Sequence, residues 1–203
     1  MRPVVVTAIL LLVVLMSTSD SEAEMCRTKY PVKPCEDTYY DKGWFQFGTS
    51  RCVKAFFNTP NLAFFDAERA CKRIPNGNLV SIHSEVELNQ VQCAMYKATT
   101  GKAHYWIGAF FTIRAGPVWV WSDDTKFDYN RWVSGQPSGN SQLCVEMNYW
   151  ELGTFKPSPD HEDQQTLSRM RFLTLVTMFL SDWGLWNGVG CGERRPYVCA
   201  VTI

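Results

Sequence analysis

The sequence predicts an α+β domain that is stapled by disulfides and exported from the cell. Three observations carry this expectation. Eight cysteines follow an N-terminal apolar run, two capped helical patterns occupy the first half, and aromatic or β-branched runs broken by turn residues fill much of the rest.

Arg2 precedes the apolar stretch from Val4 to Met16, and Ser21-Glu22-Ala23 places small residues where a signal peptidase reads. Residues 1–23 are therefore read as a secretory signal peptide. The apolar run is shorter than the ~20 residues a spanning helix needs, so no membrane span is expected and the mature chain should be extracellular and soluble. Cys26, Cys35, Cys52, Cys71, Cys93, Cys144, Cys191 and Cys199 all lie beyond the cleavage point and enter an oxidising compartment, which makes a disulfide framework the expected use. None of them has the C-x-x-C spacing of a zinc knuckle or redox site, and spacing alone leaves the connectivity open. Lys plus Arg number 20 and Asp plus Glu number 20, a balance with no electrostatic footprint for nucleic acid.

Trp44 to Phe57 alternates aromatics around Gly48-Thr49-Ser50, the pattern of two short strands and a turn. Thr59-Pro60 signals a helix start, with Thr59 as N-cap and Pro60 at the first helical position. Phe64, Ala67, Cys71 and Ile74 then form the buried stripe, leaving Asp66, Glu68, Arg69 and Lys72 mostly on the other face until Asn76-Gly77-Asn78 ends the helix. After the run Leu79-Val80-Ser81-Ile82, Ser84 and Glu87 make a capping box for a second helix with Leu88, Val91 and Met95 inside and Gly101 as its stop. Cys93 lies off that stripe and is expected near the surface.

Tyr105 to Phe111 and Val118 to Asp123, split by Gly116-Pro117, read as strands and hairpins. Phe127, Tyr129 and Trp132 lead into the turn Gly135-Gln136-Pro137, and rings in such a concentration are read as core before sugar platform. Two polar, amide-bearing pieces follow. Gln136 to Asn148 and Leu185 to Cys191 each set loop residues beside a cysteine, which is how a loop with little core of its own is held as a binding surface.

Taken in order, these features resemble the C-type lectin-like domain over Cys35 to Val201. The resemblance rests on Trp44 with Cys52, Phe64 to Cys71, Leu79-Val80-Ser81-Ile82-His83-Ser84, Trp106-Ile107-Gly108, Trp121-Ser122-Asp123 with Trp132, Cys144, Leu185-Trp186-Asn187, Cys191 and Pro196-Tyr197-Val198-Cys199. In character the chain is nearest to small secreted fish lectins and type II antifreeze-like proteins. The resemblance implies two helices, two small antiparallel sheets and a long loop region, with an N-terminal extension at 24–34 and the domain at 35–203. It also implies the pairs Cys71 with Cys199, Cys144 with Cys191 and Cys35 with Cys52. Cys26 and Cys93 remain, either paired with each other or bridging two chains into a disulfide-linked dimer.

In lectins of this family a calcium ion in the long loop coordinates sugar hydroxyls, through Glu-Pro-Asn or Gln-Pro-Asp, a glutamate shortly before the next cysteine, and Trp-Asn-Asp. Matched residue by residue, this chain has Gln136, Pro137 and Ser138, then Gln142, then Trp186, Asn187 and Gly188. Each matched position that should be acidic is neutral. Calcium takes ~6 to 8 oxygens and its affinity follows how many are charged, so weak or absent calcium binding is expected here. The resemblance thus implies glycans or a protein ligand as partner, with ice binding of the type II kind as a third reading.

No zinc-protease motif, nucleophile elbow or phosphate loop appears, and His83 and His104 flank core runs as structural residues, so an enzyme is not expected. Residues 151–181 depart from the family: a polar linker around Lys156 to Gln165 precedes the apolar Phe172 to Leu180, and the acids Asp160, Glu162 and Asp163 sit where nothing preorganises them as calcium ligands. Deleting Glu151 to Ser181 joins Trp150 to Asp182 and restores an ordinary loop length, so this stretch is read as a translated intron or alternative exon. Sequencing the transcript tests this, and a dominant mature message that retains the codons for 151–181 sinks it.

Overall fold

The computed structural model describes residues 25–35, 42–99, 103–113, 116–138, 143–149 and 184–203. The signal peptide at 1–23, Gln142 and the 151–181 stretch lie outside the described residues. The strands are β1 (Phe45–Phe47), β2 (Arg51–Phe56), β3 (Gly77–Leu79), β4 (Ala103–Thr112), β5 (Val118–Trp121), β6 (Cys144–Tyr149), β7 (Trp186–Val189) and β8 (Tyr197–Thr202). The helices are α1 (Phe64–Lys72) and α2 (Glu85–Ala98), preceded by one π-helical turn at Met25–Lys29.

Two antiparallel ladders make up the sheet. In one, β8 takes β2 and β3 as partners and β2 pairs with β1; in the other, β4 pairs with β5 and β6, and β6 with β7. A single parallel pair, Trp106 opposite Tyr197, joins the ladders into one continuous sheet. The two small sheets that the resemblance implies are therefore fused along one edge. The Trp106-Ile107-Gly108 motif sits at the seam. Gly108 N–H donates to the Val80 carbonyl at 2.8 Å, and a Cβ on Gly108 would stand 2.7 Å from the Leu79 carbonyl oxygen, so no larger residue allows this approach.

Alternation along the strands feeds two cores. Tyr105, Ile107, Val145, Met147, Val198 and Ala200 face the cluster that receives Leu88, Val91 and Met95 of α2. Trp106, Cys144, Tyr197, Cys199 and Val201 face the cluster that receives Phe64, Ala67 and Cys71 of α1. Strands buried on both faces are apolar at successive positions, as along Tyr105 to Ile107 and Tyr197 to Val201.

The capping box forms at α2: the Ser84 hydroxyl accepts from Glu87 N–H at 3.2 Å. The return bond goes one residue further back, His83 N–H donating to Glu87 Oε2 at 2.8 Å. Glu87 Oε1 also takes Arg51 Nη2 at 2.6 Å, so the cap clamps the β1–β2 hairpin onto α2.

Three expectations need correction. Helix α1 starts at Phe64 with Ala63 at the N-cap, not at Thr59-Pro60, because Leu62 is drawn into a reciprocal backbone pair with Arg195 and the Cys191 carbonyl accepts the first helical N–H at 3.0 Å. Tertiary partners replace the local cap. Glu68 is buried, accepting from Leu79 N–H at 2.8 Å and from Ser122 Oγ at 2.9 Å, because a carboxylate is the one side chain there that satisfies both donors. Cys93 is fully buried, because its partner Cys26 and the N-terminal turn cover it.

Four disulfides join Cys26 to Cys93, Cys35 to Cys52, Cys71 to Cys199 and Cys144 to Cys191, leaving no free cysteine. All eight partners lie in one chain, so these cysteines do not support the disulfide-linked dimer. The Cys26–Cys93 link closes 67 residues, worth up to ~4 kcal/mol in the chain-entropy model. A Cys26→Ser/Cys93→Ser chain is expected to stay monomeric and to unfold at lower denaturant by about 2 to 4 kcal/mol, read by urea titration. Disulfide-linked dimers of the native chain on a non-reducing gel would contradict the intrachain link.

Candidate functional site

The loop between β5 and β6 is held by aromatic packing. Trp186, fully buried on β7, meets Trp121 at 5.6 Å between ring centroids, Tyr129 at 5.9 Å, Trp132 at 6.0 Å and Phe127 at 6.3 Å. Trp186 and Trp121 are core, Phe127, Tyr129 and Trp132 pack half-buried against them, and Trp186 anchors the loop from beneath instead of facing outward. The backbone adds a clamp: Trp186 N–H donates to the Arg131 carbonyl at 2.7 Å, and Val133 N–H to the Trp186 carbonyl at 3.0 Å. Side chains secure the loop's start, where Ser81 Oγ donates to Asp123 at 2.5 Å and His83 Nδ1 lies 2.8 Å from Asp128. The hydrogen bond from His83 holds the Asp128 carboxyl below its ordinary value.

This clamp delivers the turn at Gln136. Its N–H donates to the Val133 carbonyl at 2.9 Å, the Gln136-Pro137 peptide is cis, and Pro137 and Ser138 are exposed. The two polar side chains engage each other: Ser138 N–H donates to Gln136 Oε1 at 3.1 Å, and Gln136 Nε2 to Ser138 Oγ at 3.4 Å. Asn187 is engaged elsewhere, its Nδ2 donating to Glu146 Oε1 at 3.4 Å across the β6–β7 ladder. Gly188, paired with Val145, is buried. Gln142 falls outside the described residues.

Glu146 is the residue that sequence reasoning missed. It is 3% exposed and accepts from Arg195 Nε at 2.7 Å and from His104 Nδ1 at 2.8 Å, besides Asn187. Burial pushes its carboxyl up, but the hydrogen bonds and charges of His104 and Arg195 outweigh that and hold it below its ordinary value of 4.5. The signal was present in the strand itself: Val145 and Met147 fit the buried alternation, and a carboxylate between them demands partners. His104, read as structural, is one of them.

The chain belongs to the C-type lectin domain family: the family described as "Lectin C-type domain" matches residues 61–170, more than half of the sequence. Among its relatives is the galactose-specific lectin nattectin of Thalassophryne nattereri, 36% identical over 164 residues that cover 80% of each chain. Human lithostathine shares the fold at a TM-score of 0.57 and 21% identity, covering 81% of this chain and 91% of that one. A calcium-independent type II antifreeze protein also shares it, at a TM-score of 0.52 and 22% identity over 81% of this chain and 95% of that one.

The ion set at Glu146 has a definite pH sign. A carboxyl whose folded-state pKa lies below its unfolded value contributes stability that is complete above the unfolded value and is lost as pH falls through the folded one. Glu146→Gln is expected to lower stability at neutral pH by about 3 kcal/mol, since Arg195 loses a buried partner. Below pH 4 the gap between the two proteins should narrow, as native Glu146 also becomes neutral; a gap that stays constant in acid denaturant titrations would refute the assignment.

Proposed function

We propose that this chain is a secreted recognition module that binds glycans through the matched loop residues Gln136, Pro137, Ser138 and Asn187, with weak or absent dependence on calcium. The observation that carries the reading is the chemistry of that surface. Gln136, Ser138 and Asn187 offer neutral oxygens only, and the Gln136 and Ser138 side chains are already bonded to each other. A divalent cation repays its dehydration through charged oxygens, so this set fits calcium poorly, while amides and hydroxyls suit sugar hydroxyls directly. Trp186 and the Cys144–Cys191 bridge would act as scaffold, keeping the turn in place.

A galactose-specific relative supports the glycan reading and makes galactosides the first ligands to try. Neutral residues at Ser138 and Gly188 equally suit a domain that has exchanged the ion for a protein ligand. The shared fold with an antifreeze protein keeps ice as a third surface to test.

Binding of the secreted chain to a glycan array, with and without chelator, decides between these. Glycan binding unchanged by chelator and weakened by about tenfold in Gln136→Ala is the expected result. Loss of binding on chelation would refute the calcium-independent site. No glycan signal under either condition would leave the protein-ligand reading, and thermal hysteresis would identify the ice-binding one.

A further inference from the structure

We propose that the cleft lined by Phe57, Asn61, His104, Arg194 and Arg195 is a second ligand site for an anionic saccharide unit, a sugar ring carrying a carboxylate or a sulfate. The cleft measures about 520 Å³ and is lined by Phe57, Asn61, Ala103, His104, Arg194 and Arg195. That volume lies within the ~300 to 1,000 Å³ of small-molecule sites.

The charge arrangement selects the ligand. Arg195 and His104 are both held from behind by Glu146, through Nε at 2.7 Å and Nδ1 at 2.8 Å. Arg195 Nη1 bonds the Arg194 carbonyl at 3.1 Å and reaches Glu193 at 3.5 Å, while Nη2 has no hydrogen-bond partner among the described residues. Arg194 Nη1 donates to the Asn61 carbonyl at 3.2 Å, and the rest of its exposed guanidinium is available. Arg195 therefore shares the buried Glu146 with His104, while Arg194 has no carboxylate partner among the described residues. Glu193, 58% exposed, offsets little of the remaining charge through solvent. A planar guanidinium with a spare N–H edge matches the paired oxygens of a carboxylate or sulfate ester. Phe57 supplies the apolar wall against which the carbon face of a pyranose ring packs.

The walls are also preorganised. Leu62 and Arg195 exchange backbone hydrogen bonds, both at 3.0 Å, and Trp106 Nε1 donates to the Leu62 carbonyl at 2.8 Å. Phe64 N–H donates to the Cys191 carbonyl, and Cys191 is bridged to Cys144. Little ordering is left for a ligand to impose, which favours binding by a small molecule.

Calorimetric titration of the secreted chain with glucuronic acid, galactose 6-sulfate, galactose and inorganic sulfate tests the site. In the Gln136→Ala chain, where the loop site is weakened, at least one acidic sugar is expected to bind about tenfold more tightly than galactose, and which one binds identifies carboxylate or sulfate as the recognised group. Arg194→Gln, an exposed change that leaves Glu146 paired, should weaken the acidic sugar about tenfold, and Arg195→Gln at least as much. Gln136→Ala should leave it unchanged, so failure here is distinct from failure of the loop site. Acidic sugars no tighter than galactose in the Gln136→Ala chain, or indifferent to Arg194→Gln, would overturn the site. Inorganic sulfate binding as tightly as galactose 6-sulfate would overturn the saccharide part.

Discussion

Everything in this fold leans on the last strand. Residues Tyr197–Thr202 pair with β2 along their whole length, with β3 on the other edge, and with β4 through Trp106. Successive side chains of the same strand enter opposite cores, Val198 and Ala200 on the α2 side, Tyr197, Cys199 and Val201 on the α1 side. Neither core can close until the C-terminus returns to the N-terminal hairpin. Such contacts are costly in loop entropy, and the Cys71–Cys199 bridge, 128 residues apart, removes much of that cost from the unfolded chain.

From that frame the long loop inherits its position. It has little regular structure among its described residues, so its order comes from the four rings around Trp186 and from two backbone bonds at Arg131 and Val133. This explains how the Gln136 turn can stand as a defined polar surface in a segment without strands. Rings that could be mistaken for a sugar platform are spent on holding the loop, and the turn itself presents an amide and a hydroxyl.

Glu146 connects Asn187 of β7 to the cleft that His104 and Arg195 line. One buried carboxylate accepts from Asn187 on β7, His104 on β4 and Arg195 ahead of β8. It fixes the direction of three side chains on three separate segments. Burying a charge is tolerable because each oxygen finds donors. The arrangement also turns Arg195 so that its outer edge faces the cleft.

Local chemistry made much of this legible in advance. The hairpin at Gly48-Thr49-Ser50, the Ser84/Glu87 cap and the aromatic strands depend on residues near one another in the chain, and there propensity and pattern suffice. The loop residues matched to a lectin site could be named from their order, but not the engagement of Asn187 by Glu146. What the sequence could not carry are features whose partners are distant: the start of α1, decided by Leu62 meeting Arg195; the burial of Glu68 against Leu79 and Ser122; and the cover that Cys26 gives Cys93. The sequence by itself determined the class of fold and the neutral character of the loop surface, because both are written in residue type and order. Only the tertiary structure decided which charges meet at Glu146 and where the cleft opens, because a carboxylate's partners are chosen by distance in space.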